Sequence, residues 1–142
     1  MAYRYHIDPA VNCAFIRHFD DYSRGEGFEV FKEILDDPLY RRDMNILREL
    51  HQISFPKSLA DPYAAGEIRR HLEGIDPLFG TCRIVWVVNS AADYAIAHRW
   101  TVSARLSGGI ERNVFREMAK AKAWLGMPTD YRISFPDQGD VK

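Results

Sequence analysis

The stretch Thr81-Cys82-Arg83-Ile84-Val85-Trp86-Val87-Val88-Asn89-Ser90-Ala91-Ala92-Asp93 decides the fold. Its apolar run, Ile84 to Val88, has polar neighbours on both sides and reads as a strand hidden on both faces. Strands of that kind belong to parallel sheets covered by helices on either side. Ser90 can accept from the free amide three residues on while Asp93 reaches back to it, a capping box that opens a long helix. Ser107-Gly108-Gly109 closes that helix.

Upstream, Tyr3 to Ile7 alternates, Asp8-Pro9-Ala10-Val11-Asn12 carries turn chemistry, and Cys13 to His18 resumes as a strand, so the chain opens with a hairpin. A first helix follows: Ser23 with Glu26 is a second capping box, Phe28, Phe31, Ile34 and Leu35 share one face, and Asp37-Pro38 stops the pattern. Met44 to Leu50 is a third strand. The pair Asp61-Pro62 supplies a cap and a first-turn proline for a second helix with Ala65, Ile68, Leu72 and Ile75 on its buried stripe. Downstream, Asn113 to Arg116 reads as a brief fifth strand and Glu117 to Leu125 as a last helix ending at Gly126.

The order β-β-α-β-α-β-α-β-α implies an α/β domain over residues 1–126: a mixed, mostly parallel sheet of four to five strands with an antiparallel hairpin at its start and about four helices. Residues 127–142 form a tail in which Tyr131, Ile133 and Phe135 alternate with Arg132 and Ser134, the pattern of an extended strap laid along the body.

A chain of 142 residues, with 46% hydrophobic and 27% charged side chains, has the ordinary composition of one globular domain. A formal net charge of −1 offers no broad positive field for a phosphate backbone, so nucleic acid is not an expected partner. The first residues lack the basic start and apolar core of a signal peptide, and no apolar run approaches the ~18 residues of a membrane span. The expected location is the cytoplasm. Cys13 and Cys82 fall inside strands without CxxC spacing and read as small buried hydrophobes.

Several phrases together resemble the SpoIIAA-like proteins of the STAS-type fold, relatives of the bacterial anti-anti-sigma factors. They are Leu35-Asp36-Asp37-Pro38-Leu39-Tyr40, Ile46-Leu47-Arg48-Glu49-Leu50, Leu78-Phe79-Gly80 running into Arg83 to Val88, and Val114-Phe115-Arg116 with Ala121, Ala123, Trp124, Leu125 and Gly126. The resemblance spans roughly residues 3–126. It implies a non-enzymatic role in regulation, or in binding a small apolar ligand or a membrane. In the anti-anti-sigma branch a phosphorylatable serine lies in an Asp-Ser-Ser/Ala-Gly phrase at the start of the second helix. That phrase is absent here; the corresponding stretch, His51 to Pro62, holds Ser54 and Ser58, which stand as possible phosphosites.

Two segments carry the functional expectation. In the third helix Ala92, Ala95, Ile96, Val102 and Leu106 fall on one arc, and Trp100, Ala97 and Ala104 widen it beyond what one sheet face covers. That surplus suits a neighbouring helix, the strap, a second copy of the chain or a ligand, with Trp100 and Tyr94 as the facing residues. The loop from Ile53 to Leu59, with Tyr63 behind it, lies past the carboxyl end of the third strand, where open α/β sheets bind ligands. Phe55, Leu59 and Tyr63 would form its apolar lid, and Lys57 beside Phe55 would let the same loop touch a membrane surface.

Motifs for chemistry are absent. His6, His18, His51, His71 and His98 show no H-x-x-x-H spacing and read as surface or capped histidines, so no metal and no cofactor are expected. There is no G-x-S-x-G elbow. The leading expectation is therefore a non-catalytic domain that binds an apolar small molecule, a lipid or a protein partner through the third helix and the 53–63 loop. The alternatives are a phospho-switch at Ser58 or Ser54 and an enzyme of unrecognised type.

Overall fold

Local chemistry sets the elements. Asp8 accepts from the Ala10 amide at 2.9 Å and Asn12 adopts a left-handed φ of 53°, which folds Pro9–Val11 into one 3₁₀ turn and pairs β1 (Tyr3–Asp8) with β2 (Cys13–His18). Ser23 accepts from the Glu26 amide at 3.3 Å to start α1 (Arg24–Asp36), and Asp61 accepts from the Tyr63 amide at 2.9 Å to start α2 (Pro62–Phe79). The remaining elements are β3 (Asn45–Leu50), a 3₁₀ turn at Lys57–Ala60, β4 (Cys82–Val88), α3 (Ala91–Ser103), β5 (Ile110–Phe115) and α4 (Met118–Trp124). This computed structural model describes residues 3–20, 22–103 and 109–135. Leu106, Ala104 and Ser107-Gly108, expected at the far end of the third helix, lie outside the described residues.

The five strands stand in chain order, β1-β2-β3-β4-β5, with β1 antiparallel to β2 and every later pair parallel. Among the described residues the domain is thus α/β, with a five-stranded mixed sheet and four α-helices. Because the order never reverses, the three crossover helices all land on one face. There Val30, Phe31 and Ile34 of α1, Ile68, Leu72 and Phe79 of α2, and Ala97 and Trp100 of α3 cover Ile16, Ile46, Leu50, Ile84, Trp86 and Val114.

The second face is covered otherwise. Cys13, Phe15, Leu47, Val85 and Val87 lie under Ala121 of α4 and under the chain that follows it. The strap is anchored there: Tyr131 stacks on Phe15 at 5.8 Å and donates to Asp8 Oδ2 at 2.7 Å, Lys122 donates to the Tyr131 carbonyl, and Arg17 sits 4.4 Å over the Phe135 ring. Residues 136–142 lie outside the described residues. Both cysteines are free and buried. No described helix is long and apolar enough to cross a membrane.

Two expectations need correcting. β5 begins at Ile110, three residues before the predicted start. Its inward positions are Ile110, Arg112 and Val114, and Arg112 donates to Asp76 at 2.5 Å in a buried ion pair, so a charge interrupts the apolar alternation that would have marked the strand. On α3 the buried side is centred on Asp93, Ala97, Trp100 and Thr101, while Ala92 and Ala95 are exposed and Val102 is 48% exposed. The predicted arc is turned away from the true one because the capping-box reading assigns the Asp93 carboxylate to the helix start, outside the buried stripe. Its carboxylate in fact accepts from the Phe55 amide at 3.3 Å, which brings an acid to the buried side.

Candidate functional site

At the carboxyl end of the sheet, on the face covered by three helices, a line of rings runs from β2 to β4. His18 meets Tyr22 edge-on at 5.0 Å, Tyr22 leans on Phe55 at 5.6 Å, Phe55 on Trp100 at 4.9 Å, and Trp100 on Trp86 at 6.2 Å. The sheet register places this cluster: Arg48 pairs with Ile16 on one side and Trp86 on the other, so all three project from the same face. Asp93 pins the loop over them. Ser90 accepts from the Asp93 amide at 3.1 Å, completing one half of the predicted capping box, and the Asp93 carboxylate holds Phe55 in place. Burial raises the Asp93 carboxyl above its ordinary value, and the Phe55 amide pulls it back.

Beneath the rings lies a buried polar chain. Glu26 Oε2 stands 2.7 Å from His18 Nδ1, and Arg48 Nη2 stands 3.0 Å from His18 Nε2. A guanidinium only donates, so Nε2 must carry the lone pair and the ring proton must sit on Nδ1, donated to Glu26. His18 is therefore neutral. Removal from water pushes its pKa down to about 4; the hydrogen bond to Glu26 opposes that shift and the Arg48 cation adds to it. The Arg48 guanidinium also lies 4.8 Å over the Phe31 ring. With its Nε2 lone pair engaged and the ring fully buried, His18 is not placed to take a proton from a nucleophile.

Two spaces adjoin this cluster. A void of about 20 Å³ is lined by Tyr22, Gly27, Phe28, Arg48, Trp86 and Trp100, among others. An open groove of about 450 Å³ lies outside it, between Ser23 and Gly25 of the α1 start, Pro56, Ser58 and Leu59 of the loop, and Glu67 and His71 of α2. Tyr22 and Phe28 belong to both, and so form the partition between them. Phe28 is itself stacked on His71 at 4.8 Å, a contact between α1 and α2.

The residues expected from sequence separate into two groups. Phe55, Leu59 and Trp100 are buried: Leu59 lines the groove, Trp100 lines the void, and Phe55 lines neither but packs between Tyr22 and Trp100. Tyr63, 81% exposed, and Tyr94, 36% exposed and stacked on His98, point elsewhere. Trp100 and Tyr94 thus do not act as one face. Ser54 and Ser58 are exposed, and Ser58 lines the groove. The start of α2, where the resemblance would put a phosphorylated serine, is held by the Asp61 carboxylate.

Sequence reasoning missed Tyr22, Glu26, His18 and Arg48. The sequence reads His18 as a surface or capped histidine, whereas it is fully buried. The available signal was Arg48 itself, a cation at an inward position of a strand between Ile46 and Leu50. Among the described residues no three His, Cys, Asp or Glu gather as a metal site. Comparison of the chain with family models, with curated proteins and with solved structures finds no match.

Proposed function

We propose that the chain is a non-catalytic, SpoIIAA-like domain of STAS type that holds an apolar small molecule in the groove between α1, the 53–60 loop and α2. The observation that carries this reading is the shared wall. Tyr22 and Phe28 separate an open groove of about 450 Å³ from a void behind it, and the groove falls in the ~300–1,000 Å³ range of small-molecule sites. The strand-helix order supports the likeness to the SpoIIAA-like group. The position of the groove past the carboxyl ends of β2 and β3 supports ligand binding, since loops there are free to vary without disturbing the sheet.

Titration calorimetry of the purified protein with octan-1-ol, an uncharged amphiphile, tests the reading. Binding is expected in the wild type and at least tenfold weaker in Ser58→Trp, which fills the groove from an exposed position. Equal affinity in the two proteins, or no binding of octan-1-ol or of any other eight-carbon amphiphile, would overturn it.

A further inference from the structure

Arg48 is buried, its Nη2 is engaged by His18, and its Nε has no hydrogen-bond partner. A buried donor without a partner destabilises the fold unless something else accepts its proton. The same residue lines the void, whose volume of about 20 Å³ accommodates one oxygen-sized atom and little more. Gly27 keeps this space open: a β-carbon there would stand 2.7 Å from Tyr22 Oη and 2.9 Å from Arg48 Nη2. A buried cation whose Nε has no hydrogen-bond partner therefore lines a small, mostly aromatic space that shares Tyr22 and Phe28 with the open groove.

We propose that Arg48 is the receptor for the carboxylate head of the groove's ligand, which is therefore a carboxylic acid with an apolar body. This rests on the groove reading above and names the class of molecule it admits. The body lies among Tyr22, Phe28, Pro56 and Leu59, and rotation of Tyr22 and Phe28 lets one carboxylate oxygen reach Arg48 Nε. A carboxylate suits the site in charge and shape. It is planar, carries one negative charge, and presents a single oxygen to a space of that size, while a tetrahedral phosphate needs more room and brings a second charge toward the Glu26 end of the relay. The water-poor setting strengthens the attraction, because little solvent screens it.

The test compares octanoate, octan-1-ol and octyl phosphate by titration calorimetry with the wild type, at one pH and ionic strength. Octanoate is expected to bind at least tenfold more tightly than octan-1-ol and more tightly than octyl phosphate. In Arg48→Met, with folding checked by circular dichroism, the preference for octanoate over octan-1-ol is expected to vanish. Equal binding of octanoate and octan-1-ol to the wild type overturns the carboxylate assignment and leaves the groove intact. So does tighter binding of octyl phosphate, or a preference that survives in Arg48→Met. Failure of every probe removes the groove reading and this one with it.

Discussion

His18 stands between Glu26 and Arg48 as a neutral spacer, 2.7 Å from the carboxylate oxygen and 3.0 Å from the guanidinium nitrogen. A ring held neutral in the fold and free to ionise in the unfolded chain makes stability depend on pH. The groups facing it are Glu26 from α1, Arg48 from β3, and the Tyr3 and Tyr22 rings. Its folded pKa of about 4 lies below the unfolded value of 6.5, so between those values the unfolded chain binds the extra proton. Stability is then full above pH 6.5 and falls as pH drops toward 4, by about 1.4 kcal/mol per unit at most. Urea unfolding across that range measures it. A flat profile would show that His18 takes up its proton as readily in the fold as in the unfolded chain, and His18→Gln should flatten the wild-type slope.

Trp100 is packed between Phe55 and Trp86 and only 5% exposed. Truncating a buried tryptophan costs on the order of 3–5 kcal/mol, so Trp100→Ala should lower the urea midpoint sharply. Trp100→Phe, which keeps a ring against Phe55, should lose less than half as much. Comparable losses in the two variants would mean that ring contact contributes little.

Asp93 ties a loop to a helix through a single carboxylate shared by the Phe55 amide. Asp93→Ala leaves that buried amide without its acceptor, at a cost of roughly 1–3 kcal/mol. Hydrogen exchange at Phe55 should accelerate well beyond the change seen in β4. Uniform acceleration throughout the sheet would instead report global destabilisation.

Two helical glycines separate steric from propensity effects. Nothing lies within 4 Å of a β-carbon built on Gly74, so Gly74→Ala in α2 should gain roughly 0.5–1 kcal/mol from helix propensity. Gly27→Ala in α1 meets Tyr22 Oη and Arg48 Nη2 and should forfeit that gain. Thermal melts of the two variants give the comparison. Matching increases would show that the Tyr22 and Arg48 ends move aside freely.

Much of the framework was readable because it rests on local chemistry. The run Ile84 to Val88, the caps Ser23 and Asp61, and the alternation of Tyr131, Ile133 and Phe135 each declare themselves within a few residues. What stayed hidden depends on partners far along the chain. Arg112 is inward because Asp76 meets it from α2, and Asp93 is inward because a loop amide 38 residues away needs an acceptor. The relay was hardest to see. Arg48 and Glu49 are adjacent charges that the strand sends to opposite faces, one toward His18 and the other toward Arg17 at 2.8 Å. Nothing local tells which neighbour each will find.

The one-directional march of the strands has a consequence for synthesis. As each strand and its helix leave the ribosome, at ~5–20 residues per second, the helix can fold back over the sheet already made. Phe15, Leu47, Val85 and Val87 receive no such cover until Ala121 and Tyr131 have emerged, after all five strands. The nascent domain thus presents a greasy plane for most of its translation, a surface suited to chaperone capture and to sticking to its siblings on crowded polysomes.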